Sequence, residues 1–447
     1  MLITNCRIVT WGRPNQILVD HAVLIREQKI FRLDLENKLI SEYPNEERFD
    51  AKGQLLMPGL ICAHTHFYSA FSRGMAIPGS PTTDFSQILQ KLWWPLDQSL
   101  NLEDVKYSTL LGLIDAIKHG CTMLFDHHAS PNAIAGSLDQ IGSSLDQAGV
   151  RGVVCYEVTD RGGSEKAKEG IDENLRMINK VNLEKDALVK AMFGLHASLT
   201  LSDETLEKCS EAVNKGIGFH IHVAEHQVDE YDSIYKSGLR VVNRLAKYNI
   251  LGPDTIIAHG VHMDMKEIEI LRESNTWLSH QPRSNMNNAV GLADIDSMVR
   301  FGVKVCLGND GFSNTMWDEY RTCYLAHKLW NKDPQRMNGA DLAEIVFYNN
   351  ADLASHFYSG EGKIGSIEEG SQADLILVDY KPFTEMNTGN IPWHIQFGFR
   401  DSMVTSTMVA GKWLMKDRVL LTLDEEEITN KSMELSRKVW ERYNKQF

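Results

Sequence analysis

Pro58-Gly59-Leu60-Ile61-Cys62-Ala63-His64-Thr65-His66 decides how this 447-residue chain is read. An apolar run from Gln54 to Cys62 delivers two histidines separated by one residue. In an extended strand, side chains at i and i+2 point to the same face, about 6–7 Å apart along the chain. That is close enough for both imidazoles to share one metal ion. Alone the pair is weak, because a chain with 16 histidines produces such pairs by chance. Three later segments end in the same way. Phe219-His220-Ile221-His222-Val223-Ala224-Glu225 carries His222 at the end of an apolar run, with Glu225 just beyond it. Thr255-Ile256-Ile257-Ala258-His259-Gly260 closes on His259, and Val303 to Gly311 closes on Asp310.

Each run has the length and composition of a buried strand, and each interval has room for a helix. Repeated strand–helix units predict a parallel sheet with crossover helices. Closed into a (β/α)8 TIM barrel, such units bring their C-terminal strand ends to one pocket. His64, His66, His222, His259 and Asp310 would meet there. His64, His66, His222 and Asp310 form a candidate metal-ligand set of three imidazoles and one carboxylate. A divalent ion held by them would generate hydroxide from water near neutral pH. Asp310 would also aim that water, His259 would orient it, and Glu225 would shuttle its proton to a departing amine. Glu225, His259 and Asp310 are therefore the candidate catalytic residues.

The combination PGLICAHTHFYS, HIHVAEH, IIAHG, SHQPRSNMNN and LGNDG resembles the amidohydrolase superfamily. Within it the chain is similar to the chlorohydrolase/deaminase (ATZ/TRZ-like) branch, which includes triazine hydrolases and guanine deaminase. LWWPLD, DHHASP, CYEVTDR and RSNMNN most resemble the SsnA aminohydrolases. The resemblance spans essentially the whole chain and is more specific for the superfamily than for a substrate. It implies a small β-sandwich beside the barrel and a homodimer. Two-metal relatives bridge their ions with a carboxylated lysine at the end of the fourth strand. Here that strand end reads Phe193-Gly194-Leu195-His196-Ala197, with Lys190 at the strand's start, so one divalent ion is expected, Zn or Fe.

Composition agrees with an enzyme of this size. The chain exceeds one ordinary domain, a barrel takes about 250 residues, and 43% apolar content supports a large core. Residues 1–56 and 365–422 alternate in short strand patterns, and neither piece can bury a sheet core alone. Residues 1–56 with 360–425 are expected to form one composite β-sandwich, 57–359 the barrel, and 426–447 a C-terminal helix. A net charge of −14 disfavours nucleic acid and anionic membranes as partners. No apolar run reaches the roughly 18 residues of a membrane span, and no secretory signal is evident. Seven scattered cysteines read as reduced thiols in a cytoplasmic protein.

For the substrate, a polar loop from Arg283 to Asn288 offers donors and acceptors suited to a heterocycle, with Arg283 and Asn285 as the named contacts. Tyr68 and Trp94 could cover a planar ring, and His196 lines the pocket by position. Glu157 or Arg161, at the third strand's end, would line the pocket by position in the same way, and His127, His128 and His262 receive no role. The expected activity is hydrolysis of a non-peptide C–N bond, foremost deamination of a purine-like heterocycle. A chlorohydrolase or cyclic amidohydrolase would use the same groups, and an assembly protein on a retained hydrolase fold is the non-catalytic alternative.

Overall fold

The computed structural model describes residues 1–183, 187–214 and 216–447. Its centre is a ring of eight parallel strands: β1 Leu60–Thr65, β2 Cys121–His128, β3 Arg151–Tyr156, β4 Phe193–Ala197, β5 Phe219–Val223, β6 Ile256–His259, β7 Trp277–His280 and β8 Lys304–Leu307. A short strand, Val189–Ala191, continues the sheet beside β3 just before β4. Two seams close the ring. At one, the Val158 amide donates to Gly194 and that of His196 to Val158. At the other, the amides of Asn309 and Asp310 donate to the His64 carbonyl, and that of His66 to the Asp310 carbonyl. Every strand is followed by helix, as parallel pairing demands.

Alternate strand residues divide between two cores. Ile61, Ala63, Met123, Phe125, Val153, Cys155, Ile256, Trp277 and Cys306 pack together inside the ring, and Leu353 and Tyr358 join them. Cys62, Leu124, Val154, Ile221, Ile257 and Leu278 belong to the larger cluster shared with the helices. In β1 this alternation is broken by a register shift between Cys62 and Thr65. Plain alternation from Ile61 would send His64 outward; the irregularity turns His64 and His66 toward the centre, a common use of bulges beside active sites.

The apolar run that opens the sequence reading is not one strand. Leu55–Pro58 belongs to a second sheet and Leu60–Thr65 to the barrel, with Gly59 between them. Gly59 is required there: a Cβ would lie 2.1 Å from Thr122 Cγ2. The second sheet has nine strands drawn from both ends of the chain. Its path runs from Val419–Leu420 through Lys412–Lys416, Val404–Val409, Leu375–Val378, Leu55–Pro58, Leu2–Val9 and Ile17–Arg26 to Lys29–Leu35. The period of two is explicit: Leu375 and Leu377 face the sheet's own core, whereas Ile376 and Val378 join the barrel-side cluster.

The chain ends in a helix, Glu425–Asn444, capped by the Asp424 side chain on the Glu427 amide. Its acidic first turn suits the positive end of the helix dipole. Trp440 Nε1 reaches back to the carbonyl of Phe71 at 2.7 Å, tying down the segment that follows His66.

Candidate active site

At the C-terminal mouth of the ring the sequence-derived residues come together. His66 Nε2 lies 3.2 Å from His222 Nε2 and 3.0 Å from Asp310 Oδ1. His64 Nε2 is 3.7 Å from the same carboxylate oxygen. One ligand atom from each of His64, His222, His259 and Asp310 falls within 4.8 Å of the others, and the same holds for His64, His66, His127 and His222.

What each ring bonds on its far side fixes which nitrogen is free. His66 Nδ1 faces the carbonyl of His127 at 2.5 Å, and His222 Nδ1 that of His196 at 2.8 Å. A carbonyl only accepts, so both Nδ1 atoms carry a proton, and in the neutral ring each Nε2 carries a lone pair. Those two lone pairs face each other. Two such nitrogens 3.2 Å apart with a carboxylate beside them call for a positive charge between them: a proton, as Asp310 raises the His66 pKa to about 9 against burial, or a divalent metal, which this donor set fits. His64 Nε2, buried and without a hydrogen-bond partner, adds a third donor. Burial holds the His64 ring neutral, its pKa lowered to about 3.

Glu225 follows β5 across Ala224, whose φ of 48° turns the chain sharply. His259 (φ 76°) and Asp310 (φ 59°) share this left-handed backbone. Non-glycine residues held there store strain of order 1–3 kcal/mol each, a habit of functional sites. Glu225 Oε2 lies 3.5 Å from His259 Nε2, and Asp310 Oδ2 lies 4.0 Å from the same nitrogen. Burial raises the Glu225 pKa to about 7, which lets it both take and give a proton near neutrality.

The segment after β7 is not a loop but a short helix, Pro282–Asn287. Its pitch sorts the side chains. Ser284 Oγ donates to Asp310 Oδ2 at 2.5 Å, Asn285 Oδ1 accepts from His259 Nδ1 at 2.9 Å, and Asn288 Nδ2 donates to Glu225 Oε1 at 3.3 Å. Arg283 turns the other way. Its Nε donates to Glu319 at 2.5 Å, and another guanidinium nitrogen to the Ser313 carbonyl at 2.7 Å. Arg283 and Asn285, the expected substrate contacts, thus have partners within the chain: Arg283 bonds the neighbouring helix through Glu319, and Asn285 bonds His259.

Tyr68, Trp94 and His196 do line the cleft, a space of about 680 Å³, together with Phe85, Trp93, Asp97 and Asn288. Tyr68 and Trp93 meet edge to face at 6.3 Å between ring centres, and Arg161, paired with Asp97 at 2.6 Å, lies over Trp94. Glu157 sits beneath this wall, 3.4 Å from His66 Nδ1 and from His127 Nδ1, its pKa raised to about 8 by burial. His128 bonds Ser130 and His262 bonds the Val290 carbonyl. His220 has a role that the sequence reading left out: its Nε2 lies 2.9 Å from His64 Nδ1. The signal was present, since His220 and His222 are themselves an i, i+2 pair.

Known proteins share this frame. The amidohydrolase family model matches residues 55–414. A 5'-deoxyadenosine deaminase of Methanobrevibacter smithii is 32% identical over 421 residues, covering 92% of each chain. A 5-methylthioadenosine/S-adenosylhomocysteine deaminase of Haloarcula marismortui is 29% identical, covering 89% of each. Among solved structures, a zinc-bound adenosine deaminase from Xanthomonas campestris superposes with a TM-score of 0.85 at 23% identity, covering 98% of both chains. The zinc complex of atrazine chlorohydrolase TrzN from Arthrobacter aurescens gives 0.81 at 19%, covering 97% of this chain and 99% of its own. With its imidazole cluster at the mouth of a closed barrel, this chain belongs to the amidohydrolase family and is a metal-dependent hydrolase of carbon–nitrogen bonds other than peptide bonds.

Proposed function

We propose that the protein deaminates a purine-like nucleoside or base, using one divalent ion, Zn or Fe, held by His64, His66, His222 and Asp310. The observation that carries this reading is Glu225, half-buried, poised near pH 7 and 3.5 Å from His259 at the edge of the imidazole cluster. A bound ion lowers the pKa of water from about 15.7 toward about 7. Asp310 and His259 then hold the attacking water, whose proton passes to Glu225 Oε2. Glu225 gives this proton to a ring nitrogen of the substrate, then carries the second proton of the added water from the new hydroxyl to the amine, which departs as ammonia and leaves a carbonyl. Asn288 fixes the carboxyl during this exchange.

The aromatic wall of Tyr68, Trp93 and Trp94 suits a flat heterocycle, and Asp97 Oδ1, buried and without a partner, offers an acceptor to a sugar hydroxyl. The deaminase relatives support the same class of substrate. Chloride needs no proton to leave, so Glu225 favours amine over halide release. Ammonia release from metal-loaded protein, measured over 5'-deoxyadenosine, adenosine, guanine and a chlorotriazine, tests this directly. Turnover of an amine-bearing purine is expected; chloride release without ammonia would replace the reading.

Two further proposals accompany it. The cytoplasm suits seven cysteines that are all buried and unpaired among the described residues, and no described helix is long and apolar enough to cross a membrane. A homodimer would cover the exposed Leu325, Leu329, Trp393 and Phe397. A monomeric mass by light scattering would remove that assignment.

A further inference from the structure

A second group of metal-ligating side chains lies outside the barrel mouth. His280 ends β7 with its ring on the outer face, opposite to Ser279, whose hydroxyl approaches His64 across Gly308. The outward ring meets the helix Met316–Asn331, where Cys323 and His327 sit four residues apart on one face. His280 Nε2 and His327 Nε2 are 3.0 Å apart, and with Cys323 Sγ the ligand atoms lie within 4.8 Å of one another. All three residues are buried. On the far side, Asp296 Oδ2 lies 3.9 Å from His327 Nδ1, buried and without a hydrogen-bond partner. The other oxygen of Asp296 accepts from the Met337 amide at 2.9 Å, so the carboxylate is anchored.

We propose that His280, Cys323 and His327 form a second metal-ion site, structural rather than catalytic, which takes a thiophilic ion such as Zn²⁺, with Asp296 orienting His327. Two imidazoles and a thiolate are zinc donors that fill three of the four positions of its tetrahedron, and a carboxylate behind a ligand histidine is the usual outer support. The charges balance in a dry environment: a divalent ion is neutralised by one thiolate and the Asp296 carboxylate. Binding releases the thiol proton. An ion there would pin the helix after β8 to the outer face of β7, behind the helix that holds Ser284 and Asn285.

Cobalt titration of the metal-free, full-length protein tests this. Two equivalents should bind, one of them giving a thiolate-to-cobalt charge-transfer band in the near ultraviolet. Cys323→Ser should abolish the band and remove one equivalent, and His64→Ala/His66→Ala should remove the other and leave the band. If Cys323→Ser fails to fold, His327→Gln gives the same reading. One equivalent in the parent with no thiolate band, or a band that survives Cys323→Ser, would overturn the site.

Discussion

A single hydrogen bond on the far side of each imidazole determines which nitrogen reaches the centre. His64 depends on His220 for this, since Nδ1 must donate to His220 Nε2 for the His64 Nε2 lone pair to face inward. His220→Ala should weaken metal retention about 10–100-fold in competition with a chelator, and His220→Gln, which keeps an acceptor, should recover part of it. Unchanged retention in His220→Ala would show that His64 needs no such support. Glu225 acts through its proton alone in the proposed reaction. Glu225→Gln should keep full metal content and lower turnover about 10²–10⁴-fold; parental turnover would end the shuttle assignment. At this scale the legibility of the sequence was uneven. Residues at strand ends were readable because each apolar run closes on a ligand-type side chain, although in β1 a register shift rather than period two turns His64 inward. The segment from Arg283 was misread as a loop; it is helical, and in a helix the neighbours of an inward residue face away, which leaves Arg283 paired with Glu319.

Among elements, the joint between β1 and β2 illustrates what patterning cannot show. Asp126 Oδ1 accepts from the Phe67 amide at 2.8 Å and so fastens the segment after β1 to β2. Its other oxygen is buried without a partner, and burial raises its pKa to about 7. A carboxyl whose folded pKa is raised contributes stability that is fully present below its unfolded value, near 3.8, and lost as pH rises through about 7. Asp126→Asn keeps the acceptor for Phe67 and has no charge to bury. Between about pH 4 and 7 the variant should gain on the parent by up to about 1.4 kcal/mol per pH unit in denaturant unfolding, and no further above that. A gap that closes with rising pH would show a depressed pKa instead. The strands themselves were legible as apolar runs bounded by turns. The division of one such run at Gly59 was not, because only the neighbouring Thr122 forbids a side chain there.

Across the whole molecule, the barrel could be anticipated from four strand ends that repeat one chemical theme, and the second sheet from two terminal pieces too small to fold separately. The closing of the ring could not, since it rests on backbone bonds between residues far apart in sequence. The proposed metal at the mouth would tie β1 and β5 to the segment after β8, so its removal should be felt globally. Chelation should lower the midpoint of thermal unfolding, with about 4 kcal/mol of stability returning at an ion concentration near 1,000 times Kd. An identical midpoint with and without chelator would mean that the ligands are held rigid without the ion. The seam itself has one more consequence. Thr65, beside His64, completes it with Asp310, 245 positions along the chain. A ribosome therefore makes most of the polypeptide before the two can meet. A nascent chain exposes its first histidine pair early and acquires the carboxylate late, so unfinished copies cannot assemble the full ligand set.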